Sequence, residues 1–185
     1  MTESHHHPNA GIEARLARVR LLLLDVDGVL TDGSVSITSA GEEVKTFHVR
    51  DGLGLRVWQQ AGGMVGIITG RSSRALTLRA EELGVGIVRQ GVADKLRAAA
   101  EIIGDCGVGW EETAFVGDDL PDLPVVARCG IGVAVADACG ELKAAAALVT
   151  ILPGGRGAVR EVVERLLRSR GGWESAVAGY TGGIA

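Results

Sequence analysis

Residues 21–28 read LLLLDVDG: four leucines, then two aspartates flanking a valine, closed by glycine. An unbroken apolar run with no polar alternation is what a strand covered on both faces of a parallel sheet requires. The carboxylates that follow then stand at the carboxyl end of the strand, where open α/β sheets bind their ligands. Outward from this stretch the pattern repeats. Met64–Ile68 runs into Thr69-Gly70-Arg71, and Ala114–Val116 runs into Gly117-Asp118-Asp119. Ile131–Val135 and the short Leu148–Ile151 are two further apolar runs.

Helix-length segments lie between them. Asp51 can cap a helix running to about Gln60, closed by Gly62-Gly63, and Ser72 or Ser73 can cap one that ends at Gly84. Lys95–Ile103 stops at Gly104, and Gly157–Leu167 carries Val159, Val162, Val163, Leu166 and Leu167 on one face. Strand and helix alternate, which predicts an α/β, doubly wound, Rossmann-like parallel sheet with right-handed crossovers. One segment breaks the alternation. Ser34–Ile37 and Glu43–Val49 flank the turn residues Ser39-Ala40-Gly41, so a β-hairpin is inserted after the first strand.

Composition bounds the rest. At 185 residues, 46% hydrophobic and 23% charged, the chain suits one domain with a real core. Net charge is -4 and aromatics are 3%, which argues against a nucleic-acid partner. The apolar run Leu21–Leu24 is far too short to span a bilayer, so no membrane association is expected. Cys106, Cys129 and Cys139 form no CxxC pair and read as reduced, small apolar residues of a cytoplasmic protein. Residues 1–19, including His5, His6 and His7, and residues 171–185 read as flexible tails around a domain at 20–170; the histidine run reads as solvated tail rather than metal site.

If the first three runs are neighbours in the sheet, Asp25, Asp27, Thr69, Asp118 and Asp119 converge on one point, with Lys95 at a nearby helix start. Facing carboxylates repel and call for a cation, and an all-oxygen ligand set suits magnesium. A carboxylate can attack phosphorus, a second carboxylic acid can protonate the leaving oxygen, and lysine and threonine can hold the transferring oxygens. Taken singly, each motif is more often a turn, a cap or a solvated lysine. Their joint order, each after an apolar run, points to phosphoryl transfer.

At these residues the sequence resembles the haloacid dehalogenase-like phosphatases: LLLLDVDGVLTDG, IITGR, the DK of RQGVADK and FVGDDLPDLPV look like their four motifs. GEEVKTFHVRDGLGLR, the Arg71–Arg79 stretch, VAVADA and GGRGAVREVVERLL further resemble the 3-deoxy-D-manno-octulosonate 8-phosphate (KDO 8-phosphate) phosphatases, over about Leu21 to Arg168. The resemblance implies a capless fold, Mg2+ and a homotetramer in which a neighbour's hairpin covers the site. It implies Asp25 as nucleophile and metal ligand, and Asp27 as general acid/base with its carbonyl on the metal. Thr69 and Lys95 hold the phosphoryl group, Asp118 is the third metal ligand, and Asp119 and Asp122 support it. His48, Val49, Arg50, Asp51, Gly52, Arg56, Gly70, Arg71 and Arg79 are implied substrate contacts, within or across subunits. The implied reaction releases KDO and phosphate through an aspartyl phosphate, in lipopolysaccharide synthesis. Two other readings stand beside it: a phosphatase for a nine-carbon keto-sugar acid 9-phosphate (sialic acid or KDN), and a non-catalytic binding domain on the same fold.

Overall fold

A computed structural model of the chain describes residues 8–181. The strand β1 (Leu21–Leu24) has all four leucines at 0% exposure, because helices cover the sheet on both sides. It lies between β4 (Met64–Ile68) and β6 (Thr113–Gly117), parallel to both, with Leu24 opposite Ile67 on one side and Val116 on the other. β5 (Ile87–Arg89) extends the sheet beyond β4, and β7 (Ile131–Ala134) and β8 (Leu148–Val149) extend it beyond β6. The order β5-β4-β1-β6-β7-β8, parallel throughout, is the doubly wound sheet expected from the apolar runs.

The winding reverses at β1. One layer holds α2 (Val49–Gln60), α3 (Arg74–Leu83) and α7 (Ala158–Arg168); the other holds α4 (Lys95–Asp105), α5 (Leu123–Val126) and α6 (Gly140–Ala145). α7 buries the stripe expected of it, Val159, Val162, Val163, Leu166 and Leu167, against α2. α3 ends at Gly84, whose φ of 69° suits the left-handed closing turn. Between β1 and α2 the chain forms a two-stranded hairpin, β2 (Ser36–Ile37) and β3 (Glu43–Val44), with no larger insertion. The hairpin's second arm is shorter than the sequence suggests, since Val49 already begins a helix.

Four elements depart from the sequence reading. The N-terminal segment, read as a tail, is helical over α1 (Pro8–Arg18): Leu16 and Val19 are fully buried and Arg15 Nε donates to Gly130 O at 3.1 Å. His5–His7 lie outside the described residues. The C-terminal segment forms α8 (Trp173–Ala178), anchored by Trp173, which is 7% exposed and carries the Arg160 guanidinium 4.8 Å above its ring. β5 escapes a periodicity reading because it is three residues long and half-buried. Asp51 does not cap α2; it lies inside that helix, whose N-cap is His48.

Candidate active site

Because β4, β1 and β6 are adjacent, the residues that follow them meet at one end of the sheet. The Asp25 amide donates to Val116 O at 3.0 Å, so the turn after β1 is pinned to its neighbour. Asp25, Asp27, Thr69, Gly70, Arg71, Lys95, Asp118, Asp119 and Asp122 line a cleft of about 410 Å³. The close approach depends on Gly28, at φ +88°, where a Cβ would fall on the Asp118 carboxylate.

Lys95 is the first residue of α4, held there by the Asp94 cap, and is 7% exposed. Its ammonium lies 2.8 Å from Asp25 Oδ1 and donates to Asp122 Oδ1 at 2.7 Å. Burial pushes Asp25 up to about 6, with Asp122 adding to the rise and Lys95 opposing it. Asp118 is pushed up to about 8 by burial and by the charges of Asp25 and Asp122. Burial alone would lower Lys95, but Asp25 and Asp122 outweigh it and raise it. This is a site with more negative charge than one lysine balances.

A divalent cation fits that imbalance. Asp25, Asp118 and Asp122 each bring a carboxylate oxygen within 4.8 Å of the others. Asp122 is fully buried and already committed: one oxygen accepts from Lys95, the other from the Asp118 amide at 3.0 Å. Asp25 Oδ1, though close to Lys95, makes no well-aligned hydrogen bond. Of these three, Asp25 and Asp118 keep oxygens that could hold a cation, and Asp122 positions Asp118 and Lys95. Asp119 is exposed and accepts from the Leu120 amide at 2.8 Å, which shapes the loop.

Thr69 is 2% exposed, and its hydroxyl accepts from the Arg71 amide at 3.3 Å. Arg71 precedes α3 and stands at the cleft mouth, 48% exposed, donating to Glu43 at 2.6 Å and lying 3.7 Å from Asp27. From the hairpin, Lys45 reaches Asp27 and Glu43 reaches Arg71; the sequence reading singles out neither Lys45 nor Glu43. Their signal was the two-residue period of a strand, which turns both toward the site and Val44, 49% exposed, away from it.

The structure does not bring the other anticipated substrate contacts to this cleft. Val49, Gly52, Arg56 and Arg79 border a separate hollow of about 210 Å³ between α2 and α3. Arg79 donates to Glu82 at 2.8 Å, and Arg56 donates to Glu82 O at 2.8 Å. Arg71 and Arg79 thus share no helical face, since α3 begins after Arg71. His48 is half-buried beside Asp51, while Arg50 is exposed along a groove bordered by α7. Asp51 is a correction: it is 1% exposed and its carboxylate accepts from the amides of Gly157, at 3.1 Å, and Arg160, at 2.8 Å. Its carboxylate is engaged with the N-terminus of α7 and does not line the cleft.

The comparisons agree with this geometry. Residues 81–154 match the haloacid dehalogenase-like hydrolase family. The chain is 44% identical over 168 residues to the 3-deoxy-D-manno-octulosonate 8-phosphate phosphatase of Escherichia coli K12, covering 91% of this chain and 89% of that one. The Yersinia pestis phosphatase of the same name is 46% identical over 162 residues, 88% and 87% of the two chains. The crystal structure of the Moraxella catarrhalis phosphatase, in complex with magnesium, phosphate and KDO, superposes with a TM-score of 0.91 at 40% identity, over 94% of this chain and 99% of that one. With carboxylates, a lysine and a threonine gathered at the end of this sheet, the chain belongs to the 3-deoxy-D-manno-octulosonate 8-phosphate phosphatase family of haloacid dehalogenase-like hydrolases.

Proposed function

We propose that this protein is a magnesium-dependent phosphomonoesterase that hydrolyses KDO 8-phosphate to KDO and phosphate. The observation that carries the reading is the cleft itself: Asp25, Asp118, Lys95 and Thr69 surround one point, and Arg71 stands at its mouth. Asp25 attacks phosphorus, and the ester oxygen leaves with a proton from Asp27. Water, giving its proton to Asp27, then releases phosphate from Asp25. Lys95 and Thr69 hold the phosphoryl oxygens as charge shifts among them. A magnesium ion held by Asp25, Asp118 and the Asp27 carbonyl supplies neutralising charge for the bound phosphate.

Arg71 carries the substrate assignment, because a phosphate ester alone needs no further cation at the mouth. A guanidinium fits the carboxylate of a keto-sugar acid through two parallel hydrogen bonds. His48, Val49, Arg50, Gly52, Arg56 and Arg79 do not line this cleft, and we read them as contacts to a substrate held by a neighbouring subunit. A homotetramer is supported by the exposed apolar side chains of the hairpin, Val35 at 53% and Ile37 at 67%. The free cysteines suit a cytoplasmic enzyme, in the synthesis of the KDO unit of lipopolysaccharide.

The test is a panel of sugar phosphates assayed with magnesium and with chelator. KDO 8-phosphate is expected to exceed the nine-carbon 9-phosphates in kcat/KM by at least about tenfold, a difference of ~1.4 kcal/mol. A preference for a nine-carbon acid would move the assignment to that class. No magnesium-dependent turnover of any ester would make the chain a binding domain.

A further inference from the structure

Lys45 lies one residue beyond β3, yet its side chain is 3% exposed. That is unusual for a lysine on a hairpin, since buried lysines need a partner. Its partner is Asp27: the Lys45 ammonium donates to Asp27 Oδ1, and it lies 3.5 Å from Glu43 Oε1. The other oxygen, Asp27 Oδ2, is buried and has no hydrogen-bond partner among the described residues; the Arg71 guanidinium is 3.7 Å away.

We propose that Lys45 is a positioning residue for the general acid/base, acting through Asp27. The reading rests on the function proposed above. A carboxyl on a short side chain can turn about its last bond, and the turn decides which oxygen faces the substrate. Lys45 occupies Oδ1, so Oδ2, closed off from solvent here and without a hydrogen-bond partner among the described residues, is the oxygen left to carry a proton to the leaving group. In the first step the proton on Asp27 Oδ2 passes to the bridging ester oxygen. The phosphorus–oxygen bond breaks with its electron pair on that oxygen, the Asp25–phosphorus bond forms, and the alcohol leaves neutral. Throughout, Lys45 keeps its bond to Oδ1. Glu43 lies against Lys45 and accepts from Arg71, so its one carboxylate is shared between the two cations and offsets part of their charge beside the phosphate. The hairpin thus brings a cation to Asp27 within its own subunit.

The test compares esters that differ only in their need for an acid. kcat/KM, which reports events up to departure of the leaving group, is measured with magnesium for glycerol 2-phosphate and for 2,4-dinitrophenyl phosphate. An alkoxide leaves poorly without a proton, whereas dinitrophenolate leaves unaided. K45M is expected to lose roughly 50- to 100-fold on the alkyl ester, near the lower end of a general acid's usual worth, and less than about fivefold on the dinitrophenyl ester. K45R should recover most of the alkyl-ester loss. Equal losses on both esters, with an unaltered melting curve, would overturn the positioning role, as would no loss on either. Should K45M fold poorly, K45Q on the same two esters decides in the same way. D27N separates this inference from the reading beneath it. A leaving-group split in D27N but not in K45M removes Lys45 alone. No split in D27N removes Asp27 as the acid, and Lys45 with it.

Discussion

The ammonium nitrogen of Lys95 stands 2.8 Å from Asp25 Oδ1, and both side chains are almost completely buried. Removing one member of such a pair leaves the other charge uncompensated in a poorly solvated place, which costs far more than the net worth of the pair. K95M should therefore lose about 3–5 kcal/mol of stability at pH 8 without magnesium, by urea unfolding. Added magnesium should recover part of it. A loss below about 1 kcal/mol would mean that the carboxylates relax into water without the lysine.

The magnesium-free protein should become less stable as pH rises. Asp25 is pushed up from 3.8 to about 6 and Asp118 from 3.8 to about 8, first by burial and then by their carboxylate neighbours. Between about pH 4 and 8 the folded state therefore holds more protons than the unfolded one, and stability falls across that window. A cation that binds the folded site opposes the loss by mass action. Melting temperatures at pH 6 and pH 8, with magnesium and with chelator, check this: magnesium should raise the midpoint more at pH 8. D118N should melt higher than the parent in chelator at pH 8, yet gain less from magnesium. A magnesium shift equal to the parent's would remove Asp118 from the ligand set.

Asp51 should behave as a structural residue despite lying in the VRDG stretch. It accepts from two amides at the start of α7, 106 and 109 positions away in the chain. D51A is expected to cost about 1.5–3 kcal/mol, the range for hydrogen bonds to a charged acceptor, and D51N a smaller amount, since its amide oxygen still accepts. KM of the folded fraction should hardly move. A large rise in KM with normal stability would return Asp51 to the substrate.

For Arg71 the split is between substrates. R71A should raise KM for the sugar-acid phosphate by roughly tenfold or more and leave a small ester without a carboxylate within about twofold. R71K should rescue little, because an ammonium cannot form the paired contact. Equal losses on both substrates would assign Arg71 to the phosphate, or to the hairpin through its 2.6 Å contact with Glu43.

The sheet and the heart of the site were legible in sequence for one reason: both are local. LLLLDVDG, MVGIITGR and TAFVGDD each carry an apolar strand and the polar residues at its end, so strand adjacency alone brings Asp25, Thr69 and Asp118 together. The α7 stripe was legible too, because burial of one helix face imposes a period. What only the tertiary structure decided are the long-range pairings. The VRDG aspartate looks like any helix-start residue until α7 packs against α2 and brings two unpaired amides to its carboxylate. Lys45 and Glu43 look like solvated hairpin charges until the hairpin folds back over Asp27. α1 and α8 are too short for their period to stand out, and they are helical where Leu16 and Trp173 find a hydrophobic surface to cover. Periodicity records which face of an element is buried, while the partner of a buried charge is set by the packing of segments far apart in the chain.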